Sequence, residues 1–329
     1  MTLSALDQLK TQTIIVADSS DLNAIKKFRP RDATTNPSLI TASASQPENI
    51  KLIEAAYQQA KDEAYTDDQL IERTIDILTV QFGIEILKLI DGRVSTEVDA
   101  ALSYDTAATV AKAKDLLAIY QSHGIDQERI LIKIASTWEG IQAARQLEAE
   151  NIHCNLTLLF GMHQAQACAD AKVTLISPFV GRILDWHKKF EKLDHYPIEQ
   201  DPGVLSVKQI YYFYKQHEIK TEIMGASFRS IEQVLALAGC DLLTVAPNLL
   251  AEMQQDDRLV TPQLSLNHMS TPHPYQAQSL NETTFKMLVQ NDLMTTELLQ
   301  GGIDGFIKAR EQLKILLRQS CGLDAEIKV

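Results

Sequence analysis

The chain has 329 residues, 45% of them hydrophobic and 22% charged, and carries a formal net charge of −12 at pH 7. That acidity argues against nucleic acid or an anionic membrane as partner, since both call for a basic face. No run of 18 or more apolar residues is present to span a bilayer.

The N-terminal MTLSALDQLKT lacks the basic start and apolar core of a signal peptide and the arginine-rich look of a transit peptide, so a cytoplasmic location is expected. Cys154, Cys168, Cys240 and Cys321 form no CxxC pair and read as buried thiols of a reducing compartment. No Pro/Gly/Ser-rich linker divides the sequence, and the main punctuation is TPHPYQ near residue 271, which favours one domain over residues 1–329.

Eight short runs rich in Val, Ile, Leu and Thr read as strands: 13–18, 31–36, 92–99, 130–136, 152–160, 173–179, 221–227 and 241–247. Between them lie amphipathic stretches such as 105–124, where Val110, Leu116, Leu117 and Tyr120 fall near a 3.6-residue spacing. Strand and helix alternating eight times predicts a single-domain (β/α)8 TIM barrel. A barrel needs about 250 residues; the excess falls in extra helices between strands 2 and 3 (37–91) and in a C-terminal helical extension after 248. The rival doubly wound sheet would want a glycine-rich phosphate loop, and neither GxGxxG nor GxxxxGK[ST] occurs.

Strand parity then places side chains. In ILIKIAS, Ile130, Ile132 and Ile134 share one face, and Leu131, Lys133 and Ala135 the other; isoleucine suits the layer under the helices, so Lys133 points into the barrel. Polar residues collect at the C-terminal strand ends, where barrel enzymes build their sites: Asp18, Asn36, Glu97 in phase with Ser95, Asn155 with Thr157, Ser177 and Ser227. Burial disfavours an ammonium, so an enclosed lysine becomes a nucleophile able to form an imine, with Asp18 and Glu97 as candidate proton carriers. A strand lysine can also be an edge residue or snorkel to water, and the residues alone leave both readings open. Arg182 and Arg229, just past strands 6 and 7 beside Gly225 and serine hydroxyls, suit a phosphate monoester; loop arginines are also ordinary surface residues.

Other residues fit plainer roles. The eight histidines show no metal-ligand spacing; His153 reads as a strand residue and the rest as surface or loop positions. Gly301-Gly302 reads as a turn before an amphipathic helix, and Trp138 and Trp186 as packing residues.

The segments DATTNPSLI, STEVD, ILIKIASTWEG, CNLTLLF, ISPFVGRILDW and MGASFRS together closely resemble the transaldolases, over nearly the whole chain. The resemblance implies Lys133 as the Schiff-base lysine, Asp18 as the base in retro-aldol cleavage, and Glu97 acting through an ordered water that Thr157 helps to hold. It implies Asn36, Asn155 and Ser177 around the dihydroxyacetone unit, with Thr34 and Phe179 also contacting substrate. Arg182, Ser227 and Arg229 would grip the sugar phosphate. The implied reaction moves dihydroxyacetone from sedoheptulose 7-phosphate or fructose 6-phosphate to glyceraldehyde 3-phosphate or erythrose 4-phosphate, in the pentose phosphate pathway, with no metal or organic cofactor and as a homodimer.

The alternatives are a fructose 6-phosphate aldolase releasing free dihydroxyacetone and an inactive sugar-phosphate-binding barrel. The sister aldolases carry glutamine and tyrosine where this chain has Glu97 and Phe179. Two places depart from the family pattern: Ala101 stands for an arginine, and Gly161-Met162-His163 for a serine-led segment. Both are expected to bear on subunit contacts or rim detail.

Overall fold

The computed structural model describes residues 3–63, 66–265 and 279–323. Eight parallel strands close into a barrel: β1 (Ile14–Asp18), β2 (Asp32–Thr34), β3 (Val94–Glu97), β4 (Ile130–Ala135), β5 (Cys154–Leu159), β6 (Leu175–Pro178), β7 (Glu222–Gly225) and β8 (Leu242–Val245). Each pairs with the next, and β8 pairs with β1. All eight predicted strands are present, each shorter than expected. At the end of β2 the reason is capping. Asn36 leaves the ladder to cap helix Pro37–Ala44, accepting from the Leu39 amide, and Thr137 does the same for Trp138–Ala149. His153 lies just before β5 rather than in it, although its carbonyl still accepts from Ile132 at 2.8 Å.

The expected helix at 105–124 runs Thr106–Ser122, with Leu116, Leu117 and Tyr120 buried. The 37–91 insertion supplies helices Pro37–Ala44, Ile50–Lys61 and Asp67–Leu87, and the C-terminal extension supplies Glu282–Asn291 and Leu293–Ser320. Residue 271 and its neighbours lie outside the described residues. No described helix is long and apolar enough to cross a membrane.

Parity holds as expected. Ile130, Ile132 and Ile134 join the large core between barrel and helices, while Val16, Leu131, Leu175, Met224 and Leu242 fill the lower lumen. A third cluster caps the C-terminal rim: Leu299, Ile303 and Phe306 of helix Leu293–Ser320 pack on Ala135, Leu158, Phe179 and Ala226. Burial of each of the three helix side chains stabilises the lid by about 1.5–3 kcal/mol.

Three sequence readings need correction. Gly301 and Gly302 form no turn and lie inside the continuous helix Leu293–Ser320. Gly302 is required by close approach: a Cβ there would sit 2.6 Å from Leu158 Cδ2 and 3.2 Å from Arg182 Nη1. Cys321, at the end of that helix, is only half-buried, unlike the other three cysteines. His163 is no surface residue either; it opens helix Met162–Asp170, half-buried, with its ring 6.1 Å from that of Phe285.

Candidate active site

Register decides who meets whom on the barrel wall. Glu97 pairs with Lys133 and Lys133 with Asn155, while Asp18 pairs with Thr34. Above the apolar floor these residues form a polar layer. Lys133 is 5% exposed, so it is neither an edge residue nor a snorkelling one. Its Nζ donates to the Thr35 carbonyl at 3.1 Å and lies 3.1 Å from Glu97 Oε2. That second contact is a charge pair without hydrogen-bond alignment, since Oε2 has no hydrogen-bond partner.

A cavity of about 80 Å³ opens over the lysine. Its wall includes Asp18, Thr34, Asn36, Thr157, Ser177, Phe179, Arg182 and Ser227, all of them expected. Glu97, Asn155 and Arg229 stand outside that wall but are tied to it. Ser177 Oγ donates to Asn155 Oδ1 at 2.6 Å, and Asn155 Nδ2 donates to Ser95 Oγ at 3.0 Å. Thr157 Oγ1 is buried without a partner, free to bind a substrate hydroxyl or a water. Asn36 spends its carbonyl oxygen on the helix cap, which leaves its amide N–H groups for the cavity.

Thr157 owes its position to a distortion. The β5–β6 register shifts between Leu156 and Leu159, and Leu158 takes a left-handed φ of +52°. The bulge lets Thr157 face the lumen while Leu158 turns up into the lid cluster. A left-handed leucine costs about 1–2 kcal/mol, and strain of this kind concentrates at functional sites.

Electrostatics set the acids apart. Burial pushes the Asp18 carboxyl above its ordinary range, against the opposing pull of Lys133, the Thr34 hydroxyl donor at 3.3 Å and Arg182. Burial likewise pushes Glu97 up, opposed by Lys133 and Arg182 and helped by the charge of Asp18. Both therefore hold a proton more readily than free carboxyls, as residues that exchange protons near neutral pH must.

At the rim, Arg182 lies over the Phe179 ring at 5.0 Å and near Phe306 at 5.9 Å. Burial and then Arg229 disfavour its charged form. Two guanidiniums repelling each other at one rim would be relieved by a phosphate dianion. Arg229 is more committed than expected: Nε donates to Asp185 at 2.9 Å and Nη1 to the Ser227 carbonyl at 3.2 Å. Ser227 itself sits past β7 in a left-handed conformation, φ +61°, that points this carbonyl at Arg229 and at the Gly181 amide.

Four wall residues escaped the sequence reading, two of them, Met224 of β7 and Ala226 just past it, apolar. Thr244 of β8 exchanges a 2.9 Å hydrogen bond with Thr34; it is the one polar residue of that strand, and parity would have found it. Phe306 comes from the far C-terminal helix, and no local pattern announces that it roofs the lysine at 6.0 Å.

Residues 15–317 match the family model described as Transaldolase/Fructose-6-phosphate aldolase. The chain belongs to that family. It is 52% identical over 320 residues to a transaldolase of Methylococcus capsulatus, covering 96% of this chain and 97% of the relative. A transaldolase of Nostoc sp. is 53% identical over 322 residues, 97% of each chain, and one of Prochlorococcus marinus subsp. pastoris is 54% identical over 318 residues, 95% of each.

Against the transaldolase pattern, the two departures occupy the lid's surroundings. Ala101 lies exposed in the turn after β3, its amide donating to Asp99 at 2.9 Å. Gly161 lies under the C-terminal helix: a Cβ there would meet the His163 ring at 2.3 Å and Thr295 Oγ1 at 2.9 Å. In this member of the family His163 and Thr295 occupy the space that a larger residue at 161 would need.

Proposed function

We infer that the protein works as a transaldolase, transferring dihydroxyacetone between sugar phosphates through an imine on Lys133. The observation that carries this reading is one enclosed amine, 5% exposed, with a carboxylate at 3.1 Å and a second carboxyl on the same cavity wall. Neutral Lys133 attacks the ketose carbonyl, and the carbinolamine loses its hydroxyl as water, with Glu97 giving and taking the proton by way of a water held at Thr157. The iminium then accepts the electron pair of the adjacent C–C bond while Asp18 removes the proton of the C4 hydroxyl. The aldose leaves, the enamine stays bound among Asn36, Asn155 and Ser177, and a second aldose accepts it by the reverse steps. Arg182, Ser227 and Arg229 receive the phosphate, and Thr34 and Phe179 shape the donor's carbon chain.

Within this reading the donors are sedoheptulose 7-phosphate and fructose 6-phosphate, and the acceptors glyceraldehyde 3-phosphate and erythrose 4-phosphate, as in the pentose phosphate pathway. No cofactor takes part in the scheme, the chain works as one barrel domain over residues 1–329 in the cytoplasm, and it associates as a homodimer without nucleic acid or membrane.

Borohydride reduction in the presence of fructose 6-phosphate, followed by digestion and mass spectrometry, tests the chemistry. A three-carbon adduct on Lys133 is expected; an adduct on another lysine, or none, would overturn the assignment. Parallel assay of free dihydroxyacetone separates transfer from simple aldol cleavage, which predicts its release as fast as acceptor-dependent turnover.

A further inference from the structure

Glu97 meets Lys133 and also lines a second, smaller cavity of about 20 Å³, whose polar wall is Thr35, Asn36, Thr79, Glu97, Asp99 and Arg310. That volume exceeds the roughly 10–15 Å³ that one water needs. Thr157 belongs to the substrate cavity and Glu97 to this one, while Asn36 lines both.

Two polar atoms of the residues lining it are buried without a hydrogen-bond partner: Glu97 Oε2, the oxygen that also lies 3.1 Å from Lys133 Nζ, and Arg310 Nε. One is an acceptor and the other a donor, on residues whose side chains are 4% and 12% exposed. Buried polar groups left unpaired are costly, and a water that accepts from one and donates to the other removes both deficits.

Arg310 is held for such a role. It reaches from helix Leu293–Ser320 to Asp99 at 3.0 Å, Glu72 at 2.8 Å and Asp76 at 3.3 Å. The Asp99 contact is made by Nε as a charge pair without hydrogen-bond alignment, which leaves the N–H to another acceptor. Lys314 and Lys112 share the load, pairing with Glu72 and Asp76 at 2.5 Å each. Asp99 stands two residues after Glu97, so the guanidinium fixes the backbone carrying the acid as well as facing the cavity that the acid lines.

We propose that this cavity is a second water site, in which Arg310 Nε–H donates to a water that in turn donates to Glu97 Oε2, making Arg310 a positioning residue for the proton-shuttling acid. The water fixes the carboxylate toward Lys133 and favours its ionised form, since a donated hydrogen bond stabilises the anion. The proposal rests on the imine chemistry assigned to Lys133.

The test compares Arg310→Met, Arg310→Lys and the cavity-filling Thr79→Ile with Lys314→Met, which removes a neighbouring charge of the same network without touching the cavity wall. Single-turnover borohydride trapping with fructose 6-phosphate reads imine formation, and steady-state assays read kcat, KM and their pH dependence. Loss of one positioning hydrogen bond is expected to slow imine formation and kcat roughly tenfold in Arg310→Met and Thr79→Ile, with KM nearly unchanged. The limb of the pH–kcat profile governed by Glu97 should move to higher pH, Arg310→Lys should recover part of the rate, and Lys314→Met should lower stability alone. If Arg310→Met does not fold, Thr79→Ile decides. Wild-type rates and pH profile in the folded variants, or an equal loss in Lys314→Met, would overturn the proposal. Absence of any adduct on wild-type Lys133 would instead overturn the underlying imine reading.

Discussion

Glu97 is 4% exposed by side chain and stands among Lys133, Arg182 and Asp18, with burial as the dominant influence on its proton. Its folded pKa is raised, so the native state holds the proton more tightly than the unfolded chain does. The associated stability is complete below the unfolded carboxyl value and is lost as pH rises through the folded one. A glutamine mimics the protonated form and escapes that loss. Glu97→Gln is therefore expected to melt above the wild type at pH 7–8 by roughly 1–3 °C, with the advantage vanishing near pH 4, while imine formation collapses; calorimetry across that range reads the sign, and equal melting at every pH would refute it. Asp18 follows the same logic for activity. The cleavage step needs the ionised base and burial raises its pKa, so kcat should fall on the acid side at a pH above the ordinary carboxylate range, and Asp18→Asn should abolish that limb along with about 10²–10⁴-fold of the rate. These two carboxyls were readable in the sequence because strand parity and position at the strand's end are local properties. Arg310 was not readable, because its partners Glu72, Asp76 and Asp99 lie more than 200 residues away in the chain.

At the scale of elements, the C-terminal helix is the part of the site that pattern reading took for a turn and a separate amphipathic segment. The double glycine invited that division, since glycine costs a helix about 1 kcal/mol relative to alanine. The two glycines answer to different demands. Gly301 is exposed, and a Cβ there would meet nothing within 4 Å, whereas Gly302 lies against Leu158 and Arg182. Gly301→Ala should accordingly raise stability by about 0.5–1 kcal/mol and leave turnover unchanged. Gly302→Ala should forfeit that gain by pressing on the left-handed Leu158, and should raise KM for the phosphorylated donor severalfold by displacing Arg182. Matched melting curves and kinetics of the pair check this, and equal stabilisation by both would mean that the helix has room to move off the rim. The eight strands were legible because their apolar runs are contiguous. The bulge at Leu158 was not, since no residue type there favours a positive φ and only the closed β5–β6 register reveals it.

For the whole molecule, the barrel was legible from alternation of elements, and what the sequence hid is how its far ends meet at one rim. Helix Leu293–Ser320 supplies Phe306 to the cavity roof and Arg310 to the smaller cavity that Glu97 lines, so lid and barrel form one site. The outer side of the same helix bears on association. Near its start Leu293 is 51% exposed, and Tyr104 and Phe190 are exposed at 54% and 61%. Trp186 donates to Glu297 at 2.7 Å and stacks on Phe190 at 4.5 Å between centroids, and Tyr104 donates to Gln300 at 2.9 Å. An aromatic shoulder left this open to water is of the kind that interfaces cover, tyrosine, tryptophan and phenylalanine being enriched there. The homodimer proposed above would bury it, and light scattering should then give twice the 36.7 kDa of the chain. Phe190→Glu sets a charge on the shoulder, outside the catalytic layer, and should bring the mass to that of one chain while borohydride trapping on Lys133 persists. A wild-type protein already of single-chain mass, or a Phe190→Glu variant that stays paired, would show that this shoulder is not where two copies meet.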